Sequence, residues 1–451
     1  MLKMTKNKFP RKNSNGMKKK VLPIVNVILD KIVGGGQALG TLDGGRKIFV
    51  WGGLPGETVA VQMTKKKAKL AEGIVVEVLQ PSDKRIHPRD DTSYLSTSPW
   101  QIMTFDSEQH YKAALIEEAF ELHDIVLPEA IEVYTDNNQY EYRNKIEFSW
   151  WWDKTSEQID LAFFKRGTHG KIPVDGTSLA HPSINRAAIA MRDLLRTKPD
   201  TRAFMLKTLL VRCDKKGNVA LQLYVKDQTF ALFSEAEIEK LSINGFELIY
   251  SNPKSPASVI TERLQSWGTT NLTDTILDIP FTYAVEGFFQ INVSVYEQAL
   301  RDMQKWVTDD KPTVDLYSGV GTIGLTIGGD NVTMVEINEH AMIEMKRNIK
   351  ALDREKAVQA ILAPSETALE HIKGDSTIIV DPPRAGLHED VIAKLLDVTP
   401  ARIIYLSCNP VTQARDTARL AEKYGIRYHM GYNFFPRTPH IEHLVVLDLK
   451  K

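Results

Sequence analysis

The chain has 451 residues, 57 Lys/Arg against 57 Asp/Glu, 43% hydrophobic and 8% aromatic content, the make-up of a soluble globular protein of two or three domains. Its two cysteines, Cys213 and Cys408, exclude a disulfide framework and a four-cysteine metal site and fit a reducing compartment. No run of about 18 apolar residues offers a membrane span, and the N-terminus lacks the apolar core of a signal peptide, so a cytoplasmic protein is expected.

The neutral balance conceals an asymmetry. Residues 1–20, MLKMTKNKFPRKNSNGMKKK, carry eight Lys/Arg and no acid, leaving 49 basic against 57 acidic residues beyond them. This reads as a disordered basic tail. It either touches phosphates or is only a solubilising or mis-assigned start, since Met4 and Met17 are alternative initiators. An acidic body binds nucleic acid only through local basic patches.

Residues 21–85 hold short apolar strands separated by glycine turns: VLPIVNVILDKI, RKIFVWGGL, ETVAVQMT and AEGIVVEVLQ. This spacing predicts a small OB-like β-barrel. KKKAK (Lys65–Lys69) falls in a hairpin, as a solvated loop or as a phosphate-contacting one. A helix is predicted over about 106–126, with Leu115, Ala119, Phe120 and Leu122 as its apolar stripe. The remainder of 86–286 reads as an antiparallel, β-rich domain with hairpins such as DKKGN at 214–218. Cys213 ends one of its strands as a structural thiol.

From 287 to 451 short apolar strands alternate with helices, the rhythm of an open, mostly parallel α/β sheet, Rossmann-like in character. DLYSGVGTIGL (315–325) follows one strand and opens a helix. Gly319 and Gly321 permit a sharp turn close to a ligand. The next strand ends at Glu336, where an acid can accept from ribose hydroxyls. There is no third pyrophosphate glycine and no Walker lysine. A nucleoside cofactor without a diphosphate fits best, which points to S-adenosylmethionine. The competing reading is an ordinary strand–turn–helix.

Three more strand ends follow. STIIVDPPRAGL places Asp381 and Arg384 in a proline-stiffened loop, for a base edge and a phosphate, or merely as a capped βα loop. YLSCNPVTQARD places Cys408 before an Asn-Pro turn, as a packed thiol or a nucleophile. FFPRTPHIEHLVVL brings Glu442 into an apolar strand, as a strand-edge surface acid or as a general base of raised pKa.

These four motifs, in this order, closely resemble the bacterial-type RNA 5-methyluridine methyltransferases. FFQIN (288–292) and YRNKIEFS (142–149) match as well. The N-terminal GGQALG, IFVWGGLPGE and PSDKRIHP resemble the TRAM domain of the family's 23S ribosomal-RNA members, so the likeness covers nearly the whole chain beyond the tail. It implies Cys408 as nucleophile and Glu442 as base. It implies cofactor contacts from Gln290, Tyr317, Gly319, Gly321, Thr322, Glu336 and Asp381. Phe288 would stack near the extruded uracil, Asp381 would also touch the base, and Arg143 and Lys145 would meet the RNA. A monomer acting on 23S rRNA, or on the tRNA T-loop, is expected.

The chain departs from the family in one respect. Many members carry a [4Fe–4S] cluster on four cysteines. Here HPRDDTSYLSTSPWQIM and DGTSLAHPSIN, the two regions concerned, have none, so no cluster is expected. Polar and aromatic packing around Tyr94 and Trp100 is expected instead. Ser318 stands where the family has a further cysteine. Two other readings compete: a different nucleobase methyltransferase, and a non-catalytic RNA-binding factor. Cys408 within Ser-Cys-Asn-Pro and Asp381 in place of the Asn of amino-group enzymes argue against the first. The joint presence of Cys408 and Glu442 argues against the second.

Overall fold

Five strands rich in β-branched residues, Ile24–Ile32, Ala38–Thr41, Lys47–Trp51, Thr58–Lys66 and Leu70–Gln80, close into a barrel. The computed structural model describes residues 22–451 apart from 169 and 309, so the basic tail lies outside the described residues. Strand alternation sends Val27, Leu29, Ile48, Val50, Val59 and Val61 into the barrel core. The KKKAK loop is exposed throughout. Lys65 pairs with Glu72 at 2.7 Å.

The central domain is a seven-stranded sheet. Its order is Glu262–Gly268, Gly245–Tyr250, Val219–Val225, Leu206–Cys213, Lys145–Asp153, Gln158–Phe164 and Lys171–Pro173. All its pairings are antiparallel except that between Val219–Val225 and Gly245–Tyr250. The amphipathic helix Pro182–Arg196 covers one face with Ile184, Ala188, Met191 and Leu195. Cys213 is fully buried there, and burial pushes its thiol up to about 12, which makes it inert.

The C-terminal sheet has eight strands, ordered Val358–Leu362, Val332–Glu336, Thr313–Leu316, Thr377–Val380, Arg402–Ser407, Glu442–Leu449, Tyr424–Tyr432 and Val133–Tyr134. The first five run parallel, and Glu442–Leu449 is antiparallel to both neighbours. Chain order reverses direction beside Thr313–Leu316, and ligands sit at such switch points, outside the carboxyl ends of the strands.

Two elements cross the boundaries expected from sequence. The strand Val133–Tyr134 joins the edge of the C-terminal sheet. The hairpin Asn271–Ile276/Ile279–Ala284 places Leu272, Ile276, Phe281 and Tyr283 in one core with Tyr296, Ala299 and Met345. Both pair or pack with residues far away in sequence, which strand periodicity alone does not reveal. The helix predicted over 106–126 spans Phe105–Glu121. It ends early because Asp124 turns to positive φ, and Leu122 is left exposed. Tyr111 and Leu115 face the barrel core, while Ile116, Ala119 and Phe120 pack beside Tyr405, Ala414 and Leu420. One helix therefore braces the barrel against the sheet. Among the described residues no helix is long and apolar enough to cross a membrane.

Candidate active site

The glycine loop gets its shape from backbone sign. Tyr317 has φ +66°, Gly319 +57° and Gly321 +87°. A Cβ on Gly319 would meet nothing within 4 Å, so conformation, not crowding, requires glycine there. Glu336 ends the adjacent strand and is pinned before any ligand arrives. Its Oε2 accepts from the Gly319 amide at 2.8 Å and its Oε1 from the Asn338 amide at 2.7 Å. Each oxygen keeps a free lone pair for a ribose hydroxyl. Thr322 opens the following helix, its hydroxyl 2.8 Å from that of buried Tyr296.

Asp315 is the acid that sequence reasoning passed over. It is fully buried. Its Oδ2 accepts from Gly324 N at 3.0 Å, and its Oδ1 has no partner. Burial, with Asp381 and Glu336 near, pushes its carboxyl up to about 8. The signal was an acid inside the apolar strand TVDL, costly unless used. The unpartnered Asp315 oxygen belongs to a cluster of acids with Glu336 and Asp381. That suits a cofactor carrying an ammonium and a sulfonium, as S-adenosylmethionine does.

Cys408 follows the strand Arg402–Ser407. Asn409 caps the next helix, its side-chain oxygen accepting from Val411 N at 3.3 Å, and Pro410 takes the first helical position. The same motif grips the DPPRAGL loop. Asn409 Nδ2 donates to the Arg384 carbonyl at 2.9 Å. Arg415 Nη2 donates to the Ala385 carbonyl at 2.9 Å. Asp416 Oδ2 accepts from Leu387 N at 2.8 Å. The residues of YLSCNPVTQARD thus fix Asp381 and Arg384 relative to the thiol.

Ser407 pairs with His443 across the antiparallel strands, so the next step along each strand brings Cys408 opposite Glu442. Glu442 is buried, and desolvation with the Asp381 charge holds its carboxyl well above the usual range. Asp381 is pushed up to about 7 by burial. Cys408 is half-buried, and burial plus the charges of Glu442 and Asp381 push its thiol up to about 12, against the pull of Arg384. Arg384 Nη2 donates to His440 Nδ1 at 3.1 Å. Burial and surrounding cations hold His440 down at about 4, so its ring is neutral near pH 7.

Phe288 is 68% exposed at the domain junction, a free aromatic face available for a base to stack on. The backbone around it is clamped from the central sheet. Fully buried Arg212 donates from Nη1 to the Gly287 carbonyl at 2.6 Å and from Nη2 to the Phe289 carbonyl at 3.0 Å. Its guanidinium lies 4.5 Å from the Tyr283 ring centre, and Tyr283 stacks on Phe289 at 4.0 Å. Asn144 Nδ2 holds the Gln290 carbonyl at 3.0 Å. Lys145 turns inward, its ammonium 3.2 Å from the Gly287 carbonyl, and burial lowers it to about 8. Lys145, from which an RNA contact is expected, here supports the Phe288 segment. Arg143 stays half-buried at the surface of this junction, its guanidinium 5.8 Å from the Tyr142 ring centre. Arg212→Met strands several carbonyls. It is expected to destabilise the protein by on the order of 3 kcal/mol in urea unfolding and to raise KM for both substrates.

The two regions that carry cluster cysteines in relatives are joined here by hydrogen bonds. Gln101 Nε2 donates to Ser98 Oγ at 2.7 Å, Ser178 Oγ at 3.1 Å and Asp90 Oδ2 at 3.1 Å. Asp90 also accepts from Thr177 Oγ1 at 2.8 Å and Ser178 N at 2.9 Å. Trp100 and Tyr94 pack instead with the barrel core. A polar hub, centred on Gln101 and Asp90, fastens segments that are 77 residues apart.

A Rossmann-like sheet with a thiol, a buried carboxylate and a nucleoside-shaped glycine loop at one edge, joined to an OB-like barrel, defines an RNA uracil-C5 methyltransferase. The chain belongs to the tRNA (uracil-5-)-methyltransferase family, whose sequence model matches residues 108–450. It is 27% identical over 426 residues to an uncharacterized RNA methyltransferase of Enterococcus faecalis, covering 89% of this chain and 92% of that one. It is 28% identical over 460 residues to one of Fusobacterium nucleatum, covering 96% and 97%. The fold is similar to that of the Pyrococcus abyssi tRNA (uracil-54, C5)-methyltransferase solved with S-adenosyl-L-homocysteine: TM-score 0.76, 22% identity, 94% of this chain and 100% of that one.

Proposed function

We propose that this protein methylates C5 of a uridine in 23S rRNA with S-adenosylmethionine as donor, using Cys408 as nucleophile and Glu442 as base. The observation that supports it most is the register that sets Cys408 opposite Glu442, with Asp381 on the neighbouring strand end. C5 of uracil is too weak a nucleophile to be alkylated directly. Addition of the Cys408 sulfur to C6 breaks the C5=C6 bond and makes C5 enolate-like. S-adenosylmethionine, when bound, supplies the methyl group as an electrophile. Gln290, Tyr317, Gly319, Gly321, Thr322, Glu336 and Asp381 form its pocket, Asp381 also reaching the base edge. Glu442 then removes the C5 proton, C5=C6 re-forms and the thiol leaves. The uridine must leave its stack to reach Cys408, and exposed Phe288 offers it a surface, with half-buried Arg143 for the RNA backbone.

The OB-like barrel supports rRNA as the target, because dedicated tRNA enzymes of the bacterial type generally lack it, although archaeal-type members with the barrel can act on tRNA and the Pyrococcus abyssi tRNA enzyme matches 94% of this chain. A tRNA uridine is the second reading, carried by the family's own name. Mapping methylated uridines in rRNA and tRNA of a deletion strain decides between them. Loss from tRNA alone sinks the rRNA reading. A monomeric cytoplasmic enzyme completes the proposal.

The site's acidity has a kinetic consequence. Burial and the neighbouring acids hold both the Cys408 thiol and the Glu442 carboxyl above their usual ranges, and both act in their deprotonated forms. Single-turnover rates are expected to climb with pH from 6 to 9, approaching about tenfold per unit. A flat profile would mean that chemistry does not limit the rate or that the thiol ionises far lower.

A further inference from the structure

The loop from Asn433 to Ile441 delivers Glu442 to the site, and it is held by a buried charge pair, Glu108 and Lys112, that none of the motifs contains. Glu108 and Lys112 are both fully buried on the helix Phe105–Glu121. Glu108 accepts from Arg437 N at 3.0 Å on both carboxylate oxygens and from Asn433 Nδ2 at 2.9 Å. Lys112 Nζ lies 3.1 Å from Glu108 Oε1 and donates to the Phe435 carbonyl at 3.1 Å. It also donates to Asn433 Oδ1. Arg437, a non-glycine residue at φ +65°, keeps that strained conformation under this double grip. Its carbonyl accepts from Trp100 N at 3.1 Å and its Nη1 donates to the Met103 carbonyl at 2.7 Å. Tyr142 Oη donates to the Pro436 carbonyl at 3.0 Å.

Charge buried at this depth is expensive unless it is fully paired. Ordinary packing of a helix on a loop would need none. What the pair secures is the path of the chain immediately before Glu442, not any surface of the sheet.

We propose that Glu108 is a positioning residue for the elimination step, fixing the 433–441 loop so that the Glu442 carboxylate meets the C5 proton of the methylated adduct. This rests on the reading of Glu442 as the base. In that step Glu442 takes the C5 proton. The C–H electron pair forms C5=C6, and the C6–S bond breaks with its pair returning to the Cys408 sulfur. Addition and methyl transfer depend on Cys408 and the glycine loop, to which Glu108 and Lys112 make no hydrogen bond; His440 of the 433–441 loop accepts from Arg384, which acts on the thiol.

The test separates the two halves of the reaction. Total RNA from a deletion strain, which contains the substrate whichever RNA it is, is mixed with methyl-labelled S-adenosylmethionine and the full-length enzyme. Labelled protein–RNA adduct resistant to SDS is followed against free methylated RNA. Glu108→Gln is expected to form adduct at within about threefold of the wild-type rate and to release it about tenfold or more slowly, so that adduct accumulates. Tyr142→Phe removes a single bond to the same loop and serves if Glu108→Gln fails to fold. It is expected to slow release about threefold. Glu442→Gln is the control. If Glu442→Gln accumulates adduct while a folded Glu108→Gln, or else Tyr142→Phe, releases product at the wild-type rate or loses both steps equally, the inference is overturned. If Glu442→Gln accumulates none, the base assignment itself fails and takes the inference with it.

Discussion

Cys408→Ser is expected to reduce methylation by on the order of 10⁴-fold or more, with donor binding unchanged. Serine keeps the size and the hydrogen-bonding capacity of the side chain, so the turn capped by Asn409 and the grip on the DPPRAGL loop survive. It removes a polarisable nucleophile. A thiol pushed up to about 12 is still far closer to ionisation than an alcohol, and sulfur adds readily to a conjugated carbon. The substitution therefore stops the reaction before C5 becomes nucleophilic. The measurement is methyl incorporation into RNA from a deletion strain, with donor affinity as the control. RNA containing 5-fluorouridine should trap a covalent complex with wild type and none with the variant, because fluorine at C5 cannot leave as a proton. Wild-type incorporation by Cys408→Ser sinks nucleophilic catalysis at this residue.

The resting electrostatics sharpen this expectation. Asp381 and Glu442 act on the thiol, Asp315 lies near Asp381, and all three acids are raised. Before the cofactor arrives, burial favours the protonated forms of these groups. A bound cation reverses that balance, favouring carboxylates and thiolate together. Donor binding and nucleophile activation are then coupled through the same acids. Arg384, which opposes the raising of both Cys408 and Glu442, is the permanent part of that field.

The placement of the candidate site was readable from sequence where its residues lie at strand ends. The strands before Tyr317, Glu336, Asp381 and Cys408 are short apolar runs that stop at a polar residue, and sheet geometry then brings those stops to one edge. Glu442 was readable because an acid enters the apolar run IEHLVVL. The residues that hold these groups still were not readable. Arg212 grips carbonyls more than seventy residues away, and Glu108 grips an amide more than three hundred residues away. Both look in sequence like charges on an amphipathic strand or helix. Lys145 shows the same limit: a half-buried lysine that reaches backbone carbonyls has no local mark distinguishing it from one that faces only solvent. The polar hub of Asp90 and Gln101 was foreshadowed only by the missing cysteines.

Glu442→Gln is expected to block release and leave the earlier steps running, so that methylated RNA accumulates as a covalent adduct on Cys408. Glutamine fits the same buried position and preserves the strand pairing of Glu442 with Tyr432. It cannot take the C5 proton. The acids that raise Cys408 include Glu442 itself, so neutralising it favours the thiolate and should not impede attack on C6. Turnover is expected to fall by about 10³-fold, within the range that general-base catalysis supplies, while the first round of methyl transfer stays within about threefold. The readout is a labelled band stable to SDS, stoichiometric with enzyme, that wild type shows only transiently. Removing one carboxylate also takes away a charge that raises Cys408, so the pH at which first-round transfer reaches half its maximum should shift down. A variant that turns over normally would move the base elsewhere, with Asp381, on the neighbouring strand end, as the next carboxylate to test.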